Sequence, residues 1–93
     1  MIIGTLQLEL YFPEPQSLKE KRSVLQSLTN RLRKKFNVAV AEIDGMDLWQ
    51  SSVLGIAAVG NETKHVNQIL DFVLDFVRAE REVEITKEHM EFF

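Results

Sequence analysis

Three observations predict an α+β fold for these 93 residues, with four antiparallel strands under two helices. The hydrophobic pattern switches between a period of two and a period of about 3.6 residues, in the order βαββαβ. Ser17, followed three residues later by Glu20, marks the start of a long amphipathic segment. Pro13, Pro15, Asn37 and Gly45 fall between the periodic segments, where chain direction has to change. The order is the split arrangement of ferredoxin-like domains, a four-stranded sheet with both helices on one face. Residues 1–93 suit a single domain of this kind.

Strand one alternates Ile2, Leu6, Leu8, Leu10 and Phe12 with Ile3, Thr5, Gln7, Glu9 and Tyr11, so its even positions face the core and it ends at Pro13. Helix one spans Ser17 to Phe36. Leu18, Val24, Leu25, Leu28, Leu32 and Phe36 fall within about 120° of its circumference, the arc expected of a helix lying on a sheet. Lys19, Arg22, Arg31, Arg33, Lys34 and Lys35 occupy the other side. Lys21 breaks the pattern by projecting within the apolar arc, where it must reach the rim or find a partner.

Val38 to Asp44 has strand composition, and we expect Ala39, Ala41 and Ile43 to face the helices, with Val38, Val40, Glu42 and Asp44 on the other side. The opposite phase is nearly as compatible with its first half. Gly45 to Gln50 is the connecting turn, and Ser52 to Gly60 is strand three, with Leu54, Ile56 and Ala58 inward. Asn61 or Thr63 is a candidate cap for helix two, whose stripe is Val66, Ile69, Leu70, Val73, Phe76 and Val77. Phe72 and Leu74 widen that stripe to about 200°, more than one sheet contact requires. In Val83 to Phe93 the inward phase slips between Ile85 and Met90, which predicts a bulge.

A net charge of −3 conceals an asymmetry: seven basic residues and one acid between 17 and 36 give +6 there, so the remainder carries −9. A basic stripe on an acidic body argues against general coating of nucleic acid and allows a local anion site. Without cysteine there is no disulfide, thiol catalysis or thiolate metal site, which fits the cytoplasm. The alternating, acidic N-terminal segment reads as neither signal peptide nor membrane span.

Right-handed crossovers bring Lys19, Lys21 and Arg22 to the same end of the molecule as Glu42, Asp44, Asp47, Trp49 and Gln50, and the end of helix two brings Arg78 and Arg81 there. These first eight residues form the main candidate binding cluster. Cations in the first turn of a helix stand at the positive end of its dipole and call for an anion. That anion is either internal, with Glu20, Asp44 or Asp47 neutralising Lys21 and Arg22 under a cover of Trp49, or it is a phosphate of RNA with Trp49 as a stacking platform. A protein interface is the third option. Arg31, Arg33, Lys34 and Lys35 form a second basic group, solvated at the favourable end of the dipole or in contact with phosphates.

An RNA-recognition sheet of this topology stacks bases on aromatic residues of both central strands, and strand three offers only Gly55, Ala57 and Val59 on the open face. Val38, Val40, Ala57 and Val59, together with Phe72, are instead candidates for an interface, which makes a homodimeric interaction or small-ligand-binding module the alternative to RNA contact. His65 and His89 are isolated from any nucleophile or metal-ligand spacing. No cofactor, metal or catalytic residue is expected.

Three strings, SLKEKR (Ser17 to Arg22), FNVAVAE (Phe36 to Glu42) and DLWQ (Asp47 to Gln50), make the chain similar to the YlxP-like family of small bacterial proteins. The resemblance covers essentially the whole chain. It implies a ferredoxin-like fold and, because genes of the family often neighbour those for translation initiation and ribosome maturation, a cytoplasmic role near translation with RNA or the ribosome as partner. It implies no catalytic residues. An acylphosphatase-like enzyme of this topology would need a glycine-containing anion cradle with an arginine between strand one and helix one. Here that loop is Pro13, Glu14, Pro15 and Gln16.

Overall fold

The computed structural model describes residues 1–93. Its elements are β1 (Ile2–Tyr11), α1 (Leu18–Lys35), β2 (Ala39–Asp44), β3 (Ser51–Gly60), α2 (Thr63–Arg78) and β4 (Glu84–Phe92). They form one antiparallel sheet in the order β2-β3-β1-β4, the ferredoxin-like α+β arrangement.

Leu6, Leu8 and Leu10 of β1 and Phe12 just after it are all 2% exposed or less, and they meet Leu25, Leu28 and Leu32 of α1 and Val66, Leu70, Val73 and Val77 of α2. Both helices therefore lie on one face of the sheet. Each fully buried side chain of this size contributes about 1.5–3 kcal/mol, which is why the alternation along β1 fixes its facing so firmly. Gly4 belongs to this face because a Cβ there would run into Val66 and come within 2.9 Å of Leu70. Leu74 is buried with the core, while Phe72 is 54% exposed on the helix layer.

The α1 N-terminus is capped by Ser17, whose Oγ accepts from the Glu20 amide at 3.2 Å. The Glu20 carboxylate takes the Gln16 amide rather than that of Ser17, one residue earlier than the reciprocal capping pattern predicts. Helix α2 starts at Glu62 without a side-chain cap, so neither Asn61 nor Thr63 fills that role. Core contacts made by Val66 and Leu70 hold this helix end instead.

The bulge expected in the last strand lies where Glu9 faces Lys87 and Leu10 faces Ile85, with Thr86 extra and its Oγ1 donating to the Glu9 carbonyl. A second bulge in β2, between Glu42 and Asp44, was not anticipated. The phase of β2 is also the reverse of the expected one. Val40 is 8% exposed and opposite Ile56, whereas Ala39, Ala41 and Ile43 are on the open face. Burying Val40 removes more apolar area from water than burying Ala39 or Ala41, and the same phase carries Glu42 beneath α1. No helix is long and apolar enough to cross a membrane.

Candidate functional site

Lys21 lies in the first turn of α1 and is fully buried. Its Nζ donates to Glu42 Oε2 at 2.9 Å and to the Gly45 carbonyl at 2.7 Å. Glu42 also accepts from Ser52 Oγ at 2.6 Å, and Ser52 is 2% exposed. Every buried side-chain polar atom has a partner. A buried ammonium is tolerated on these terms: a carboxylate at contact distance, a second acceptor, and a hydroxyl completing the carboxylate. The internal alternative for Lys21 is thus the one realised, but its anion is Glu42 rather than Glu20, Asp44 or Asp47.

The same lysine anchors the turn between β2 and β3. Gly45 adopts φ +78°, a left-handed conformation that glycine enters without steric cost, and its carbonyl accepts from both Lys21 and the Leu48 amide. Gln50 ties the other end of the turn to the loop after β1, accepting from the Phe12 amide at 2.8 Å and donating to the Pro13 carbonyl at 3.4 Å. The turn is therefore fixed against the start of α1. Its side chains Met46, Leu48 and Trp49 remain 43–54% exposed.

With Lys21 and Glu42 occupied by each other, the charges left for a ligand are those of Lys19 and Arg22. Neither makes an ion pair or a side-chain hydrogen bond within the chain. They line an open hollow of about 410 Å³ with Leu18, Ser23 and Gln26. A second hollow, of about 340 Å³, shares Arg22 and Gln26 with the first and continues to Thr29, Glu42 and Met46. Arg22 thus joins the start of α1 to the tip of the turn in one cationic surface. Asp44 does not belong to it: its carboxylate accepts from the Gly45 amide, and it lines a hollow with Glu9 and Val53. Asp47 is exposed.

The second basic group is mostly occupied by the chain itself. Arg31 pairs with Glu80 and stands 5.8 Å from the centre of the Phe76 ring. The hydrogen bond that Arg31 donates to Glu80 raises its pKa above the ordinary value, with desolvation opposing this and the charges of Glu80 and Glu82 adding to it. Lys35 lies 5.3 Å from the same ring, and Phe36 meets Phe76 edge-on at 5.8 Å. Arg33 donates to the Val40 carbonyl at 2.8 Å. Lys34 makes no such contact. The end of α2 therefore closes on the C-terminal half of α1, and Arg78 pairs with Glu88 and Asp75 instead of joining Lys19 and Arg22.

The proposed interface residues also divide. Ala57 and Val59 are on the open sheet face, Val38 and Val40 pack against the core, and Phe72 is on the opposite layer. Sequence reasoning missed Ser23 and Gln26, although Gln26, four residues after Arg22, shares its helical face. It also missed Met46 and the Ser52 hydroxyl. Glu42 could have been oriented from Lys21, because a cation in the apolar arc of α1 demands a carboxylate on the strand beneath. No three histidine or acidic side chains converge as metal ligands.

Residues 3–90 match the family described as "Protein of unknown function (DUF503)". The chain is 38% identical over 92 residues to a protein of Bacillus subtilis (strain 168) called "Uncharacterized protein YlxP", an alignment that covers 99% of this chain and all of the other. Neither description indicates a catalytic family.

Proposed function

The chain belongs to the DUF503 family, and we propose that it is a non-enzymatic accessory protein of the cytoplasm that contacts RNA through the start of α1 and the turn between β2 and β3. The observation that carries this is the unpaired state of Lys19 and Arg22. Lys19, the second residue of α1, stands at the positive end of its dipole, where a cation is disfavoured by about 0.3–1 kcal/mol until an anion arrives, and Arg22 follows one turn later beside it. Phosphate groups supply that anion at regular spacing, and the exposed indole of Trp49 on the neighbouring turn offers a face for an unstacked base. Both hollows are open to solvent, as contact with a polymer requires.

Net acidity limits the contact to this surface. The sheet face is a poor alternative, since its central strands present Thr5, Gln7, Gly55 and Ala57 where stacking aromatics would be needed. The translation-linked role implied by the family resemblance selects RNA among polyanions. The test is fluorescence anisotropy of a labelled single-stranded oligoribonucleotide with wild type and Lys19→Ala/Arg22→Ala across a salt series. Losing two phosphate contacts should weaken binding and reduce the slope of log K against log salt by about 1.4. Equal affinity and slope for the two proteins would refute the assignment.

A further inference from the structure

The open face of the sheet is two surfaces side by side. On β1 and β4 it presents Gln7, Glu9, Lys87, His89 and Glu91 and is wet. Over the middle of β2 and β3 it presents Ala39, Ala41, Gly55 and Ala57 without one polar side chain among them, with Asp44 at the far end of β2. An antiparallel sheet that faces water ordinarily carries polar residues at such positions. These four floor a groove of about 460 Å³ bordered by Ile43 and Phe93. Ile43 is 45% exposed, Phe93 66% and Val59 60%, so the recess adjoins large apolar side chains that project from the same face.

Several occupants fit poorly. A small molecule would find few polar groups to orient it, since only Thr5, Gln7 and Glu91 offer side-chain donors or acceptors along the groove. A polyanion would meet Glu91 and no cation. An added strand at the β2 edge would compete with the Arg33 guanidinium for the Val40 carbonyl, a device that blunts edge pairing. A copy of the same face supplies both requirements of an isologous contact, because each partner brings a recess and projections to fill the other's. The area is also sufficient. Strands of ten, six, ten and nine residues give the whole open face, apolar and wet halves together, a footprint on the order of 550 Å². That projection of a corrugated surface approaches the roughly 800 Å² of accessible area per partner in a standard interface. The uncharged middle of β2 and β3, with Asp44 at one end and Glu9, Lys87 and Glu91 on the neighbouring strands, sets an apolar patch inside a polar margin as in such contacts.

We propose that a second copy of this chain packs on the Ala39, Ala41, Gly55 and Ala57 groove, sheet against sheet, to form a two-fold dimer with the helices outward. The four-layer assembly leaves both Lys19 and Arg22 surfaces free on its outer layers. It stands independently of what those surfaces bind. Sedimentation velocity decides it, at concentrations up to about 100 μM, some hundred times the dissociation constant of a micromolar interface. Wild type should sediment with twice the 10.8 kDa chain mass. Ala57→Arg should be monomeric, as should Val59→Lys, whose exposed site leaves the fold undisturbed, while Phe72→Arg on the helix layer should stay dimeric. A monomeric wild type at 100 μM, a dimeric Val59→Lys, or dissociation by Phe72→Arg would each overturn the proposal.

Discussion

Replacing Lys21 by Met keeps most of the buried stem and removes only the ammonium. The loss is two charge-assisted hydrogen bonds, at 2.9 Å to Glu42 and 2.7 Å to the Gly45 carbonyl. Removing one partner of a buried pair costs about 3–5 kcal/mol when the other is left without compensation. Here compensation is partial, because Glu42 keeps Ser52, its side chain is 21% exposed, and Gly45 keeps the Leu48 amide. We therefore expect about 2–3 kcal/mol for Lys21→Met. In urea, with a slope of about 1–1.5 kcal/mol/M for a domain of this size, the midpoint should fall by roughly 2 M. Lys21→Met/Glu42→Leu removes both charges and should recover most of the loss, giving a coupling energy of about 1–3 kcal/mol. A Lys21→Met midpoint within experimental error of wild type would refute the reasoning, since the lysine would then not hold the turn to α1.

Two glycines yield further predictions. Gly45→Ala should cost about 1–2 kcal/mol by thermal unfolding, because φ +78° is strained for alanine and its Cβ would stand 3.2 Å from the Ser52 backbone. Gly4→Ala should cost about 1–3 kcal/mol by overpacking against the fully buried Val66 and Leu70. Gly55→Ala is the mild comparison, since its one close contact is with the Ile43 side chain, which can swing away on the open face, and the Ala41 carbonyl lies at an ordinary 3.8 Å.

The fold was legible where one signal was strong and unopposed. The alternation from Leu6 to Phe12 and the stripe of Leu25, Leu28 and Leu32 each allow a single facing, and the structure buries all of them. The phase of β2 was less legible because alanine and valine differ by only two carbons, so local pattern barely distinguishes the faces. The deciding interaction was distant in sequence: Lys21 needed Glu42, 21 residues away, and one strand phase satisfies it. Similarly, the shared location of Lys19, Lys21 and Arg22 followed from topology, but their division into one buried and two free cations did not. Lys21 differs from its neighbours only by lying within the apolar arc. The engagement of Arg31 and Lys35 by Glu80 and Phe76 depends on how α2 closes on α1, which helical periodicity does not encode.

Trp49 is the sole tryptophan, so intrinsic fluorescence reports on the proposed RNA surface without a label. Titrating the protein with a short single-stranded oligoribonucleotide while following its emission is the measurement to make. Contact through Lys19, Arg22 and the turn predicts saturable quenching that salt reverses and that Lys19→Ala/Arg22→Ala weakens. Emission that stays unchanged, either because RNA does not bind or because it binds with the indole undisturbed, would contradict the assignment of this surface.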